Sequence, residues 1–184
     1  TCACRSRRAW AHGHAAGLRT PGSHTAAAGG CARPVRAART RQRGGAVTPG
    51  DAFAFPVRVY WEDTDAGGVV YHASYVRFLE RARTEYFRAL GIEQDALRRD
   101  NDVLFVVAEL RLRFLRPARL DDYLEVGVRL HERRAASLAF HQTIQRVGDG
   151  ELLVDAQVRA ACVSATALRP RAIPDGLLAE TSTS

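Results

Sequence analysis

Lysine, methionine and long apolar runs are missing from this sequence of 184 residues. All 27 basic residues are arginine, a bias that a very GC-rich coding sequence produces. Apolar stretches such as 104–108 are far shorter than the roughly 18 residues of a membrane-spanning helix, so we predict no membrane span. Apolar residues still make up 46% of the chain and charged residues 26%, which excludes a wholly disordered or fibrous protein.

Acidic residues are missing from one part of the chain, residues 1–46, which hold nine arginines. Subtracting these nine from 27 leaves 18 basic against 20 acidic residues in the remainder, a net charge of −2. The overall net charge of +7 therefore belongs to the N-terminal segment. Because the remainder of the chain is mildly acidic, this distribution disfavours a nucleic-acid-binding domain, and we expect no nucleic-acid partner.

Large apolar residues are also scarce from residue 1 to about residue 50. Such a segment cannot bury enough surface to offset chain entropy, so we predict a disordered tail over 1–50 and one domain over 51–180. An organelle transit peptide and a basic nucleic-acid-binding arm are two interpretations of the tail, but serine is sparse and Trp10 is its only aromatic residue. We favour a third interpretation, translated upstream DNA with the native start near Val47, because the chain contains no methionine and no lysine. Mass spectrometry of the native protein tests the third, which a peptide covering residues 10–19 would exclude.

Cysteine is sparse beyond the tail, where only Cys162 occurs. One cysteine cannot build a disulfide framework, and this usage is typical of a reduced compartment, so we predict a cytoplasmic protein. Cys2, Cys4 and Cys31 lie near two histidines but fit no standard zinc spacing. We therefore predict no metal site.

Beyond the tail, the apolar residues follow two different periods. A step of three or four residues over 74–90 predicts an amphipathic helix with Ser74 as its N-cap and Gly91 as its terminator. A short second helix is predicted over 93–99, and Pro56 places the first strand at a sheet edge. A period of two predicts five strands, over 53–60, 104–115, 123–131, 137–147 and 152–163. Short links between the later strands favour antiparallel pairing, so the predicted fold class is α+β.

One segment departs from this core pattern, because three acids, Glu62, Asp63 and Asp65, precede two glycines and the predicted helix. A helix N-terminus presents unpaired N–H groups and a partial positive charge, which can polarise a carbonyl. A carboxylate a few residues upstream can face that carbonyl as nucleophile or general base. The same acids can instead form a turn that only caps local backbone, and the residues alone leave both interpretations open.

Two stretches of this region resemble the 4-hydroxybenzoyl-CoA thioesterase-type hot-dog family: RVYWEDTDAGGVVYHASY at 58–75 and FLERARTE at 78–85. The sequence is most similar to the branch associated with the Tol-Pal cell-envelope system. PARLDDYLEV at 117–126 and RPRAIP at 169–174 agree with that branch. The resemblance runs from about residue 55 to residue 178, and Ser74 departs from it because the branch often has Asn there.

The resemblance implies a hot-dog fold, in which an antiparallel sheet of about five strands wraps a long central helix. It also implies a homodimer or homotetramer with acyl-CoA clefts at the subunit interface. The family's catalytic carboxylate corresponds to Asp65, and its oxyanion contact corresponds to the backbone N–H of His72, whose side chain belongs to the site in this branch. Gly67, Val69 and Tyr71 are then the candidate substrate-binding residues.

The implied activity is hydrolysis of acyl-CoA thioesters to free acid and CoA, with Asp65 as nucleophile or general base and no metal or other cofactor. The alternative is a non-catalytic hot-dog module that binds acyl carriers or cell-envelope proteins as a scaffold. An intact acid beside the glycine turn favours the enzyme. The candidate contacts for the CoA phosphates are Arg113, Arg116, Arg133 and Arg134, and the sequence favours none of them over the others.

Overall fold

The computed structural model describes residues 47–178, which hold two α-helices and one five-stranded antiparallel sheet. The helices are α1 (His72–Ala89) and α2 (Gln94–Asn101). The strands are β1 (Phe53–Arg58), β2 (Val103–Phe114), β3 (Tyr123–Arg134), β4 (Ser137–Arg146) and β5 (Leu152–Ser164). The predicted α+β class and element order are confirmed, and every boundary lies within three residues of its predicted position.

The sheet has the strand order β1-β3-β4-β5-β2, so β1 and β2 form its two edges. Pro56 lies in β1, opposite Glu125 of β3, which confirms the predicted edge position. The other edge, β2, is 12 residues long and has a register shift between Val107 and Glu109. Its pairing with β5 leaves the outer side of β2 without a partner strand among the described residues.

The core lies between helix α1 and one face of the sheet. Alternate residues of β3, which the sequence period places on one face, are all at most 5% exposed: Leu124, Val126, Val128 and Leu130. Cys162 of β5 is buried in the same core, where burial raises the pKa of its thiol. The burial of Cys162 agrees with its position in the apolar strand predicted over 152–163.

Helix α1 starts two residues earlier than predicted, and the predicted N-cap is wrong. The N-cap is Tyr71, which makes no side-chain cap bond, while Ser74 is fully buried within the first turn. The Ser74 hydroxyl accepts a hydrogen bond from Arg77 Nη2 at 2.8 Å instead of capping the helix. At the other end the prediction holds, because Gly91 follows the helix with a φ of 74°, a conformation that glycine adopts readily.

Residues 1–46 and 179–184 lie outside the described residues, and so do most of the predicted tail and the cysteines and histidines within it. Within the described part, Val47 packs against the core, and Gly50 N–H donates to Tyr86 Oη at 3.3 Å. Neither helix in residues 47–178 has the length and apolar character needed to cross a membrane.

Candidate active site

The acidic segment folds into a short hairpin in front of helix α1. Thr64 pairs with Val70 across it, and Asp65 N–H donates to Val69 O at 2.9 Å. Gly68 closes the turn, since its N–H donates to Asp65 O at 3.0 Å and its φ is 73°. Because side chains are strained at that φ, glycine permits this tight return of the chain from Asp65 to the helix start.

The Asp65 carboxylate is oriented by its own turn. Its Oδ1 accepts the Gly67 N–H at 2.8 Å. A Cβ at position 67 would lie 3.0 Å from the same oxygen, so glycine leaves the carboxylate room to hold this position. Among the described residues no donor reaches Asp65 Oδ2, which leaves this oxygen available to react.

Helix α1 begins at His72, directly after the hairpin, with unpaired backbone donors. The first N–H in this turn with a backbone acceptor is that of Ser74, which donates to Tyr71 O at 2.8 Å. The N–H groups of His72 and Ala73 have no acceptor among residues 47–178 and lie in the partial positive field of the helix start. They are therefore candidate donors to a ligand oxygen.

Asp65 and the helix start share one cavity of about 360 Å³. Its lining consists of Asp65, Val69, Val70, His72, Tyr75, Phe114, Leu115, Arg116 and Pro117. The cavity therefore places the Asp65 carboxylate and the His72 imidazole beside a largely apolar wall. Phe114 is 52% exposed because it faces this cavity, with its ring 5.6 Å from that of Tyr75.

Three of the five predicted site residues, Asp65, His72 and Val69, line this cavity. Gly67 lies outside the lining and contacts the site through its N–H bond to Asp65. Tyr71 also lies outside the lining, is 45% exposed, and packs its ring 4.3 Å from that of His72.

The segment 114–118 begins at the last residue of β2, and its first four residues line the cavity. The sequence does not identify these residues as part of a site. Arg116 alone is a sequence-based candidate, as one of several possible phosphate contacts. The available sequence signal is the end of strict alternation at Phe114 with Pro117 close behind it. That signal marks the end of a strand but does not indicate what the following residues contact.

Hydrogen bonds join this segment to the hairpin and the helix. Ala118 O accepts the Val70 N–H at 2.9 Å, and Ala118 N–H donates to Tyr75 Oη at 2.8 Å. Tyr75 is 3% exposed, and burial raises the pKa of its phenol. Arg146 Nη2 also donates to Pro117 O at 3.1 Å, so both flanks of the cavity wall are fixed by hydrogen bonds.

Asp63 is the buried acid of the hairpin, with only 2% of the residue exposed. Its Oδ2 accepts the Tyr60 N–H at 3.0 Å, and its backbone oxygen accepts the Tyr71 N–H at 2.8 Å. Its Oδ1 lies 3.9 Å from Arg77 Nη2 and makes no hydrogen bond to the described residues. These contacts stabilise the hairpin. For Asp63 they agree with the interpretation that the acid caps local backbone.

A larger hollow of about 500 Å³ lies on the sheet face that carries the exposed residues of β2 to β5. Its one acid, Glu109, is paired with Arg111 and Arg159, and its lining includes no helix start. It therefore does not offer a free carboxylate opposite helix N–H groups. Among residues 47–178 no three His, Cys, Asp or Glu side chains are grouped to hold a metal ion.

A long helix that starts beside an acid hairpin and packs on a five-stranded antiparallel sheet defines a protein of the hot-dog thioesterase class. Residues 59–180 match the family described as the Thioesterase-like superfamily, and the chain belongs to that family.

Thioesterases from several bacteria are similar to this chain in sequence and fold. Acyl-CoA thioester hydrolase YbgC of Escherichia coli O6:H1 is 48% identical over 128 residues, which cover 70% of this chain and 94% of that protein. Acyl-CoA thioesterase YbgC of Haemophilus influenzae is 45% identical over 124 residues, covering 67% of this chain and 90% of that protein. The crystal structure of a probable thioesterase from Bartonella henselae is 34% identical with a TM-score of 0.63, covering 67% of this chain and 100% of that one. The predicted family and fold are confirmed.

Proposed function

We propose that this protein hydrolyses acyl-CoA thioesters to the free acid and CoA. The relatives named acyl-CoA thioester hydrolase and acyl-CoA thioesterase support this activity at 48% and 45% identity. The observation that carries the proposal is the shared cavity, in which Asp65, the start of helix α1 at His72 and an apolar wall meet. A thioester placed there has its reacting carbonyl at the acid and its acyl chain against Val69, Phe114 and Leu115.

In the proposed mechanism, the thioester carbonyl oxygen accepts the His72 N–H, where the helix field stabilises the developing oxyanion. Asp65 Oδ2 either attacks the carbonyl carbon or removes a proton from an attacking water. The C–S bond then breaks, and CoA leaves as a thiolate that takes up a proton. In the first route a second step follows, in which water hydrolyses the acyl-Asp65 anhydride. After a single turnover in ¹⁸O-water, label in Asp65 shows the anhydride route with water attack at the Asp65 carbonyl carbon, because the general-base route adds no water oxygen to the enzyme.

The proposed reaction uses no metal and no cofactor besides its substrate. Helix N–H groups polarise the carbonyl, and the CoA thiolate is a good leaving group. Dialysis against a chelator should therefore leave kcat unchanged.

Asp65→Asn tests the proposal directly. Asparagine keeps the size of the side chain and an acceptor for the Gly67 N–H, but it removes the charge that attack or proton abstraction requires. We expect kcat for acyl-CoA hydrolysis to fall on the order of 10²-fold or more, with folding retained. His72→Ala should have a smaller effect, because alanine retains the backbone N–H. The matched control is Glu62→Gln, which neutralises an exposed acid three residues away and should keep the wild-type rate.

Wild-type hydrolysis by Asp65→Asn would contradict the catalytic assignment. Absence of acyl-CoA hydrolysis by the wild-type protein would instead favour the alternative of a non-catalytic module that binds acyl carriers or cell-envelope proteins. The assay should span aliphatic and aromatic acyl-CoA substrates, because chain preference depends on the depth of the cleft. A cytoplasmic location remains a prediction.

We further propose that the working form is a homodimer or a homotetramer, in which a second copy pairs along β2. The opposite edge, β1, is interrupted by Pro56, which lacks an N–H for strand pairing. Strand β2 has 12 residues and no proline, and it exposes 52% of Val107 and 52% of Phe114. Because Phe114 also lines the cavity, a partner on this edge would complete the cleft.

A further inference from the structure

The hairpin holds a second carboxylate, Asp63, that the proposed chemistry does not use. Its side chain is only 3% exposed, and its Oδ1 has no hydrogen-bond donor among the described residues. A buried carboxylate oxygen without a donor costs folding free energy unless a charge compensates it. The position of the nearest cation therefore indicates what this acid does.

That cation is Arg77, which lies in the second turn of helix α1. Its Nη2 lies 2.8 Å from Ser74 Oγ and 3.9 Å from Asp63 Oδ1. The guanidinium thus contacts the first turn of the helix and faces the hairpin at the same time. Ser74 is fully buried, so the helix end of this link is held by packing.

Asp63 in turn contacts the backbone on both sides of the reacting acid. Its Oδ2 accepts the Tyr60 N–H at 3.0 Å, and its backbone oxygen accepts the Tyr71 N–H at 2.8 Å. Tyr60 precedes the acid segment and Tyr71 is the N-cap of α1. The position of Asp63 therefore fixes the chain at both ends of the hairpin that carries Asp65.

We infer that Asp63 and Arg77 form a positioning pair, which sets the distance between the Asp65 carboxylate and the first N–H groups of helix α1. The inference rests on the proposed function, since it assigns the pair to the geometry of that reaction. Neither residue lines the cavity, so both act through Asp65 and His72. The attraction between the two charges holds the hairpin against the helix, and the Arg77–Ser74 bond fixes the guanidinium.

The test uses the full chain with Asp63→Asn, Arg77→Ala and the double variant. Asparagine keeps an oxygen acceptor for the Tyr60 N–H, so Asp63→Asn removes mainly the charge that faces Arg77. We expect each single variant to lower kcat about 10-fold while KM changes less than about 2-fold, because misplacement affects the reacting atoms more than binding. The double variant should be no slower than the slower single variant, since both changes break one pair.

Two further variants separate positioning from general stability. Arg77→Lys keeps the charge and should recover part of the lost kcat. Arg81→Ala removes an exposed arginine one turn along the same helix, whose guanidinium lies over the Phe78 ring, and should keep wild-type kcat and KM.

Wild-type kcat per folded enzyme in both single variants, with only Tm lowered, would overturn the inference and leave the pair a structural one. Additive losses in the double variant would overturn it too. If Asp63→Asn does not fold, Arg77→Ala and Arg77→Lys carry the test, and equal activity of those two would overturn it. Asp65→Asn keeps the two proposals apart: if it is inactive while the pair variants keep wild-type kcat, only the positioning inference fails. If Asp65→Asn is fully active, the assignment of Asp65 fails, and if the wild-type protein hydrolyses no acyl-CoA, the proposed function itself fails.

Discussion

At the scale of single residues, the two glycines of the acid hairpin serve different needs. Gly67 leaves space, because a Cβ there would approach Asp65 Oδ1 to 3.0 Å. Gly68 supplies conformation, because its φ is 73° while a Cβ there would meet no atom beyond its chain neighbours within 4 Å. Substitution of Gly67 should therefore displace the Asp65 carboxylate, and substitution of Gly68 should strain the backbone of the turn.

We expect Gly67→Ala to lower kcat about 10-fold with little change in Tm, because the Asp65 carboxylate must turn away from the new methyl group. Steady-state kinetics and a thermal melt measure the two effects. Gly68→Ala is the matched control and should show the reverse pattern, with a loss of about 1–2 kcal/mol in the free energy of unfolding. Equal kinetic losses in both variants would contradict the distinction.

The sequence predicts the candidate catalytic acid but not the wall that this acid faces. Asp65 and His72 lie within one stretch of chain and are identified through the family resemblance. The alternation in the strand that contains Phe114 shows which residues share a face, but not whether that face is covered. Contact between the hairpin and the segment after β2 depends on the Val70–Ala118 hydrogen bond, which joins residues distant in sequence. No local pattern indicates such a bond.

At the scale of elements, Tyr75 links helix α1 to the cavity wall. Its Oη accepts the N–H of Ala118, which is fully buried. We expect Tyr75→Phe to lower the free energy of unfolding by about 1–3 kcal/mol, because phenylalanine leaves this buried donor unpaired. Urea denaturation measures the change.

Tyr86→Phe is the matched control for that prediction, since it removes the same hydroxyl from the same helix. Its partner, the Gly50 N–H, lies 3.3 Å away at an exposed residue and can bond water instead. The loss should therefore be clearly smaller than for Tyr75→Phe. A loss of equal size in the two variants would show that the Ala118 contact is not what Tyr75 contributes.

The elements themselves were predictable because their periods differ. The apolar stripe of α1 and the alternation in β3 each place their buried residues on one face, and both patterns survive in the structure. The helix start was predicted less well, because Ser74 has the chemistry of an N-cap but is used in packing and in the bond to Arg77. The N-cap preference of serine does not show whether a particular serine is instead buried and bonded to another side chain.

At the scale of the whole molecule, the open edge of β2 predicts self-association. A chain of 20.2 kDa should sediment at two or four times that mass at micromolar concentration. Val107→Arg places a charge on the exposed edge and should shift the protein toward monomer, with loss of hydrolysis if the partner completes the cleft. Sedimentation velocity with parallel activity measurements tests both points.

Val147→Arg is the matched control, since Val147 is also an exposed valine but lies between β4 and β5. It should keep the wild-type mass and activity. A wild-type protein that is only monomeric at micromolar concentration would contradict the dimer and tetramer proposals.

The backbone of Ala118 has a consequence for how the site opens. Its oxygen accepts from Val70 and its N–H donates to Tyr75, so a movement of this segment breaks both bonds together. The amide protons of Val70 and Ala118 should therefore exchange with deuterium at matched rates, although they belong to different loops. The hairpin and the wall then open as one cooperative unit. Substrate that enters faster than this unit opens must pass by side-chain motion alone.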